Sequence, residues 1–254
     1  MKFFLTSIFG RETSRGDRRF GLDRIVFLLS LFILIVTVLM PMLMIVVRTF
    51  FKGTQPDWAL FTRVVLAPEN LSAIYNTVKI GFFVTLFGTV LGLFYAWLIG
   101  RSDIPMKGLM KALFTIPYMF PPFFGAMAWS LLLAPRSGYM NKWFMQLTGG
   151  TSPLLDINSI GGIVFVETCY YFPFVFLQVV SALERMDPTL EESARIAGAG
   201  QWYVIRKITL PLVLPAIAAG AMLILISSLS HFGVPAILGF SNNIFTLPTK
   251  IYQL

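Results

Sequence analysis

The stretch IVFLLSLFILIVTVLMPMLMIVV, residues 25–47, runs for 23 residues without an Asp, Glu, Lys or Arg. As a helix rising about 1.5 Å per residue it reaches roughly 34 Å, enough to cross a hydrocarbon core of about 30 Å. It is too long for the apolar part of a signal peptide and no small-residue cleavage site follows it. A basic tail, residues 1–24, precedes it. The stretch reads as an uncleaved anchor and as the first membrane span.

The whole composition agrees. Of 254 residues, 56% are hydrophobic and 13% charged, and the mean hydropathy is +0.76, against about 45–50% and about 25% in soluble domains. Disordered, collagen-like and disulfide-scaffold classes are excluded. One cysteine, Cys169, gives no internal disulfide, and one histidine, His231, gives no histidine cluster. The net charge of +8 would suggest nucleic acid in a soluble protein; here it is a question of which side of the membrane holds the basic residues, and no nucleic-acid partner is expected.

Further uncharged runs lie at 80–100 and 112–135, and one at 157–183 is interrupted only by Glu167. The run 208–249 has 42 residues without Asp, Glu, Lys or Arg; as one helix it would be about 63 Å long, twice the bilayer. Gly233, Pro235 and Gly239, followed by Ser241, Asn242 and Asn243, mark where it breaks. The expectation is an all-α polytopic transmembrane bundle with spans at about 25–47, 76–100, 112–135, 159–183 and 211–230 within a membrane domain, residues 25–254.

Thirteen basic residues fall on the side of the tail (Lys2, Arg11, Arg15, Arg18, Arg19, Arg24) and of the loops after spans two and four, against six on the other side. The positive-inside rule then places the amino terminus in the cytoplasm. Five crossings would leave Leu254 outside, so a sixth span is expected beyond it.

Gly88 and Gly92, flanked by Thr85 and Thr89, have the small-residue spacing that lets helix backbones approach. Pro117, Pro121, Pro122 and Gly125 predict a kinked third span, since each proline removes a backbone hydrogen bond. Glu167 is the one carboxylate well inside a span. It is either functional or a residue that faces the bundle and pairs locally, with Lys79 as the candidate partner. Lys79, Glu167, Tyr170 and His231 are the candidate residues of a translocation pathway; no catalytic or metal-binding set is expected.

The loop 184–210 is the most polar stretch outside the tail. Asp187 before Pro188 reads as a helix start, Glu191 and Glu192 suit the first turns, and Gly198 with Gly200 supplies a stop. A second short helix from Gln201 to Ile208 would place Trp202, Ile205 and Ile208 on one face.

The spacing here is Glu192-Ser193-Ala194, three residues, Gly198, nine residues, then Ile208-Thr209-Leu210-Pro211. It resembles the EAA loop of ABC importer permeases, whose pattern is Glu-Ala-Ala, three residues, Gly, nine residues, Ile, any residue, Leu, Pro. Only Ser193 departs, in place of the first Ala. Asn76-Thr77, residues 122–129 and residues 231–239 resemble the ferric-iron branch of the same superfamily, and the likeness covers residues 25–254.

That resemblance implies the membrane subunit of a type I ABC importer in a bacterial inner membrane. The partners it implies are a cytoplasmic dimer of ATP-binding subunits, a periplasmic solute-binding protein and a second permease half, fused or separate. Glu191, Glu192, Ser193, Ala194, Arg195, Gly198, Ala199, Ile208, Leu210 and Pro211 would couple to the ATPase. The chain would be no enzyme and hold no cofactor; ATP and magnesium belong to the partner, and no Walker-type glycine loop occurs here. Ferric iron ranks first as solute, with aminoethylphosphonate, polyamine and thiamine as alternatives. A secondary transporter driven by ions through Glu167 and Lys79, and an intramembrane hydrolase, are the readings from other classes.

Overall fold

The computed structural model describes residues 19–52, 55–56 and 58–253. Lys2, Arg11, Arg15 and Arg18 of the expected basic tail lie outside the described residues. The chain divides into two units, residues 1–65 and 66–254.

In the first unit, α1 (Arg19–Leu34) and α2 (Met40–Phe50) form one long apolar helix through a π-helical turn, Ile35–Leu39. Pro41 explains that turn. A proline in an α-helix has no N–H for the carbonyl four residues back and its ring collides with it; widening the preceding turn, with Met40 N–H bonding Ile35 O, gives the ring room. A minimal hairpin, β1 (Phe51–Lys52) with β2 (Gln55–Pro56), turns the chain into α3 (Trp58–Val65). There Phe50 packs against Trp58 and Phe61 with ring centroids 5.1 and 4.9 Å away.

The second unit is built on three long helices: α4 (Pro68–Arg101), α8 (Ile160–Arg185) and α11 (Leu210–Leu229), which pack mutually along most of their length. Small residues set that packing. A Cβ on Gly92 would stand 2.6 Å from Phe172 O and 2.9 Å from Val175 Cβ, and one on Gly220 would stand 2.7 Å from Val175 Cα. The backbones of α4 and α11 thus touch α8 at glycines, where dispersion and close approach replace the hydrophobic drive that lipid cannot supply. Val84, Val166, Val175, Phe176, Val179 and Ile224 fill the remaining space, all fully buried.

Between α4 and α8 the chain forms α5 (Lys107–Met119), α6 (Pro122–Leu133) and α7 (Tyr139–Thr148). The expected kink is a true break: α5 and α6 meet at 93°. Phe120 and Pro121 are extended, because Pro121 disfavours helix in the residue before it and Pro122 starts a new helix without needing an N–H. Stacked Tyr95 and Phe114, 4.2 Å apart, and edge-on Trp129 and Phe165, 4.9 Å apart, fasten the two arms to the triad. Counting the bent pair as one, five helical segments among the described residues are long and apolar enough to span a bilayer.

Helix α4 begins at Pro68, ahead of the expected start at 76, and the last long helix begins at Gln201 instead of 211. After α11 the chain turns through α12 (Gly233–Gly239), a 3-10 turn at Phe240–Asn242 and α13 (Leu247–Tyr252). Asn243 takes a left-handed conformation, φ 55°, so the uncharged run does break where its Gly, Pro and Asn residues accumulate.

Candidate functional site

The loop 184–210 is ordered around α9 (Thr189–Ile196) and α10 (Gln201–Val204). Thr189 N–H donates to Asp187 Oδ1 at 3.0 Å, and this bond, with a side-chain bond to Thr189, holds the exposed Asp187 carboxyl below its usual range. Pro188 caps α9, one residue later than the sequence suggested. At the other end Gly198 has φ +87°. Its N–H reaches Arg195 O and the Ala199 N–H reaches Ala194 O, both 3.0 Å, a Schellman close that only a residue tolerant of positive φ makes without strain.

The second short helix does not end at Ile208. Gln201 N-terminally opens one continuous helix that passes through a π-helical turn, Ile205–Thr209, into α11. Pro211 dictates this turn as Pro41 does the first, with Leu210 N–H bonding Ile205 O. The extra residue shifts the register, so Val204 and Thr209 are buried, while Trp202, expected to share a face with Ile205 and Ile208, is 81% exposed and those two are half-buried. Ile196 is exposed too, at 88%. Trp202, Tyr203, Arg206 and Lys207 line an open hollow of about 710 Å³. An apolar residue at the end of α9 and an aromatic pair beside two cations make a surface with the composition of a protein-docking face.

Behind this surface Glu191 is held from two directions. Arg101 Nε donates to Glu191 Oε1 at 3.0 Å and Thr209 Oγ1 donates to the same oxygen at 2.7 Å. Arg101 Nη1 also donates to Gly100 O and Leu183 O, at 3.1 and 3.3 Å. Glu192, Ser193 and Arg195 are exposed and Ala194 and Ala199 half-buried. Lys111 and Glu184 pair nearby at 2.8 Å.

The candidate pathway residues separate into two groups. Glu167 is fully buried; its Oε2 accepts from Ser228 Oγ of α11 at 2.5 Å, and its Oε1 has no protein partner. The expected pairing with Lys79 is not formed. Lys79 stands off the buried face of α4, which runs through Thr77, Ile80, Gly81 and Val84, and its ammonium lies over the Tyr75 ring, 5.7 Å from the centroid.

One turn along α8 from Glu167, Tyr171 meets the His231 ring edge-on, with centroids 5.9 Å apart. Tyr170 lies where a Cβ on Gly125 would overlap its ring, and both tyrosines help line a groove of about 310 Å³ at the α5–α6 break. Glu167 and Tyr170 thus lie on one stretch of α8, where the intervening neighbour Tyr171 meets His231, and Lys79 forms no ion pair with Glu167.

Asn76-Thr77, noted in the sequence only as part of a resemblance, and Asn141, not noted at all, have structural roles that sequence reasoning missed. Asn76 Nδ2 donates to Phe245 O at 3.1 Å and Thr77 Oγ1 accepts from Leu247 N–H at 2.8 Å, so Asn76-Thr77 satisfies the irregular backbone that follows α12. Asn141, with no exposed surface, has its Nδ2 within reach of Leu133 O, Ala134 O and Leu155 O and accepts at Oδ1 from the Leu154 and Leu155 N–H groups. A single asparagine in an ordinary-looking stretch offers no sequence signal of such a role.

A glycine-packed helical triad, a broken span and a helical elbow continuous with a membrane helix define a multi-pass transport subunit. The chain belongs to the family described as binding-protein-dependent transport system inner membrane component, which matches residues 88–254. It is 32% identical over 196 residues to the molybdenum transport system permease protein ModB of Escherichia coli (strain K12), covering 75% of this chain and 82% of that protein. To the sulfate transport system permease protein CysW of Synechocystis sp. it is 26% identical over 238 residues, 93% of this chain and 83% of the relative. A bacterial alginate ABC transporter, solved in complex with alginate pentasaccharide-bound periplasmic protein, shares the fold with a TM-score of 0.72 at 21% identity, over 93% of this chain and 84% of that one. Two of these are named as permeases, for molybdenum and sulfate, and the third as an alginate ABC transporter; none of the three bears the name of an iron transporter.

Proposed function

We propose that the chain is the permease half of an ATP-driven importer in a bacterial inner membrane, with its amino terminus and the loop 184–210 in the cytoplasm. The observation that carries this reading is the uninterrupted helix from Gln201 to Leu229. A partner that moves α9 and α10 moves α11 with them, and α11 touches α8 backbone to backbone at Gly220. Ile196, Trp202 and Tyr203 offer the apolar face on which an ATP-binding subunit closes, and Glu192, Ser193, Ala194 and Arg195 lie along the same helix. ATP and magnesium belong to that subunit. A second permease half completes the pathway, and a periplasmic binding protein delivers solute at the opposite end.

The solute best supported is a small oxyanion of the molybdate or sulfate kind, on the strength of the relatives' transport systems. For ferric iron the available donors are few: Glu167 is tied to Ser228 inside the triad, and among the described residues no group of three His, Cys, Asp or Glu side chains comes together. In this reading Tyr170 and His231 flank the pathway at the break between α5 and α6, and Glu167 braces the helices behind them.

The test is uptake into proteoliposomes containing the permease, its ATP-binding subunit and its binding protein. Uptake of labelled molybdate or sulfate that requires ATP and both partners is expected. Ferric uptake in its place would restore the iron assignment, and uptake without ATP or partners would overturn the importer reading in favour of an ion-coupled transporter.

A further inference from the structure

Helix α9 is joined to the bundle by short connections, and the one at its end is unpacked. At its start the chain runs through Met186, Asp187 and Pro188; at its end it runs through Gly198, in the left-handed region, and Gly200. Nothing stands within 4 Å of a Cβ built on either glycine. A helix held only at such joints would swivel when pushed and waste the push. It needs a third point of attachment.

Arg101, Glu191 and Thr209 provide it. We propose that these three side chains form a clamp that fixes the coupling helix to all three helices of the triad, and that Arg101 and Thr209 are positioning residues for energy coupling. The proposal rests on the importer reading above. One oxygen, Glu191 Oε1, takes hydrogen bonds from the last residue of α4 and from the π-helical turn that leads into α11. The same guanidinium reaches Leu183 O in the last turn of α8. Thr209 is fully buried, and the Arg101 and Glu191 side chains are 19% and 12% exposed, so water competes little for these bonds.

The geometry divides the labour within the loop. The exposed face of α9 meets the partner, while Glu191 on the other face hands the displacement to α4 and α8 as well as to α11. Without the clamp, motion of α9 would reach the bundle only through its two joints, Met186–Pro188 toward α8 and Gly198–Gly200 toward α10 and α11. With it, the ends of α4, α8 and α11 move as one body.

The test uses the full transporter reconstituted with its ATP-binding and binding-protein partners. Arg101→Gln, Glu191→Gln and Thr209→Val are each compared with wild type for co-purification of the ATP-binding subunit, and for ATP hydrolysis with and without the binding protein. Spin labels on Asp103→Cys, two residues past α4, and Thr189→Cys, in a Cys169→Ser background, report the separation of the end of α4 from the start of α9 without nucleotide and with ATP, magnesium and vanadate.

Wild type is expected to keep one narrow distance in both states. Arg101→Gln and Glu191→Gln should broaden it and lower stimulated hydrolysis about tenfold while the ATP-binding subunit still co-purifies, and the double variant should be no worse than either single one. Arg101→Lys should recover part of the loss, and Lys111→Ala, which breaks the exposed pair with Glu184, should behave as wild type. Co-purification together with unchanged distances and hydrolysis in Arg101→Gln would overturn the clamp alone. Failure of the wild-type chain to bind any ATP-binding subunit would overturn the importer reading, and the clamp with it.

Discussion

Glu167 of α8 and Ser228 of α11 share a hydrogen bond of 2.5 Å inside the triad, and the second carboxylate oxygen has no protein partner. The bond sits two turns from the start of α8 and one residue before the end of α11, so it ties together the ends of two helices whose backbones meet further along at Gly220. Ser228→Ala leaves both oxygens without a protein partner and should cost about 2 kcal/mol. Glu167→Gln keeps an acceptor for the serine and should cost less than about 1 kcal/mol. Thermal midpoints of the purified protein in one detergent read the difference.

Close approach at Gly92 predicts a steep steric penalty. A leucine there must displace Phe172 O and Val175, and since backbone cannot yield as a side chain does, the triad should lose about 3 kcal/mol or more. Gly108→Leu, where nothing stands within 4 Å, should leave the thermal midpoint unchanged. Equal behaviour of the two variants would show that α4 and α8 do not meet at glycine.

Asn141 closes the segment between α6 and α8 by bonding backbone on both sides of it. Asn141→Ala should strip carbonyls and N–H groups of Leu133, Ala134, Leu154 and Leu155 of their partner at a cost of about 3 kcal/mol. The loop 134–159 should then be cut by protease at least several-fold faster than in wild type, with the long helices intact.

Pro211 sets the π-helical turn between α10 and α11. Pro211→Ala restores an N–H and removes the ring, so a regular α-helix becomes affordable and Thr209 should rotate away from Glu191. Helicity should hold or rise slightly, and stimulated ATP hydrolysis should fall several-fold. Circular dichroism and hydrolysis measured on the same preparation check both halves.

The helical class was legible because charge-free runs longer than a bilayer have few other uses, and the break after α11 was written in Gly233, Pro235 and Gly239. The elbow was legible from Asp187-Pro188 and Gly198, whose roles are local and backbone-driven. What escaped were relationships across the fold. Glu167 chose Ser228 over Lys79 because helix packing decides which side chains face each other, and no spacing along the chain encodes that. The fusion of α10 with α11 was missed because Pro211 reads as a helix start, whereas a widened turn lets the helix run through it. Arg101 gave no sign beyond its charge, and its partner lies far along the chain.

The central claim is that the Gly198 elbow carries the work of a partner ATPase into the membrane helices. The most direct measurement is binding-protein-stimulated ATP hydrolysis by the reconstituted transporter carrying Gly198→Trp. A side chain at φ +87° strains the close of α9, so stimulation should disappear while membrane insertion and the thermal midpoint of the triad stay at wild-type values. Stimulated hydrolysis and uptake both at wild-type levels in that variant would contradict the account.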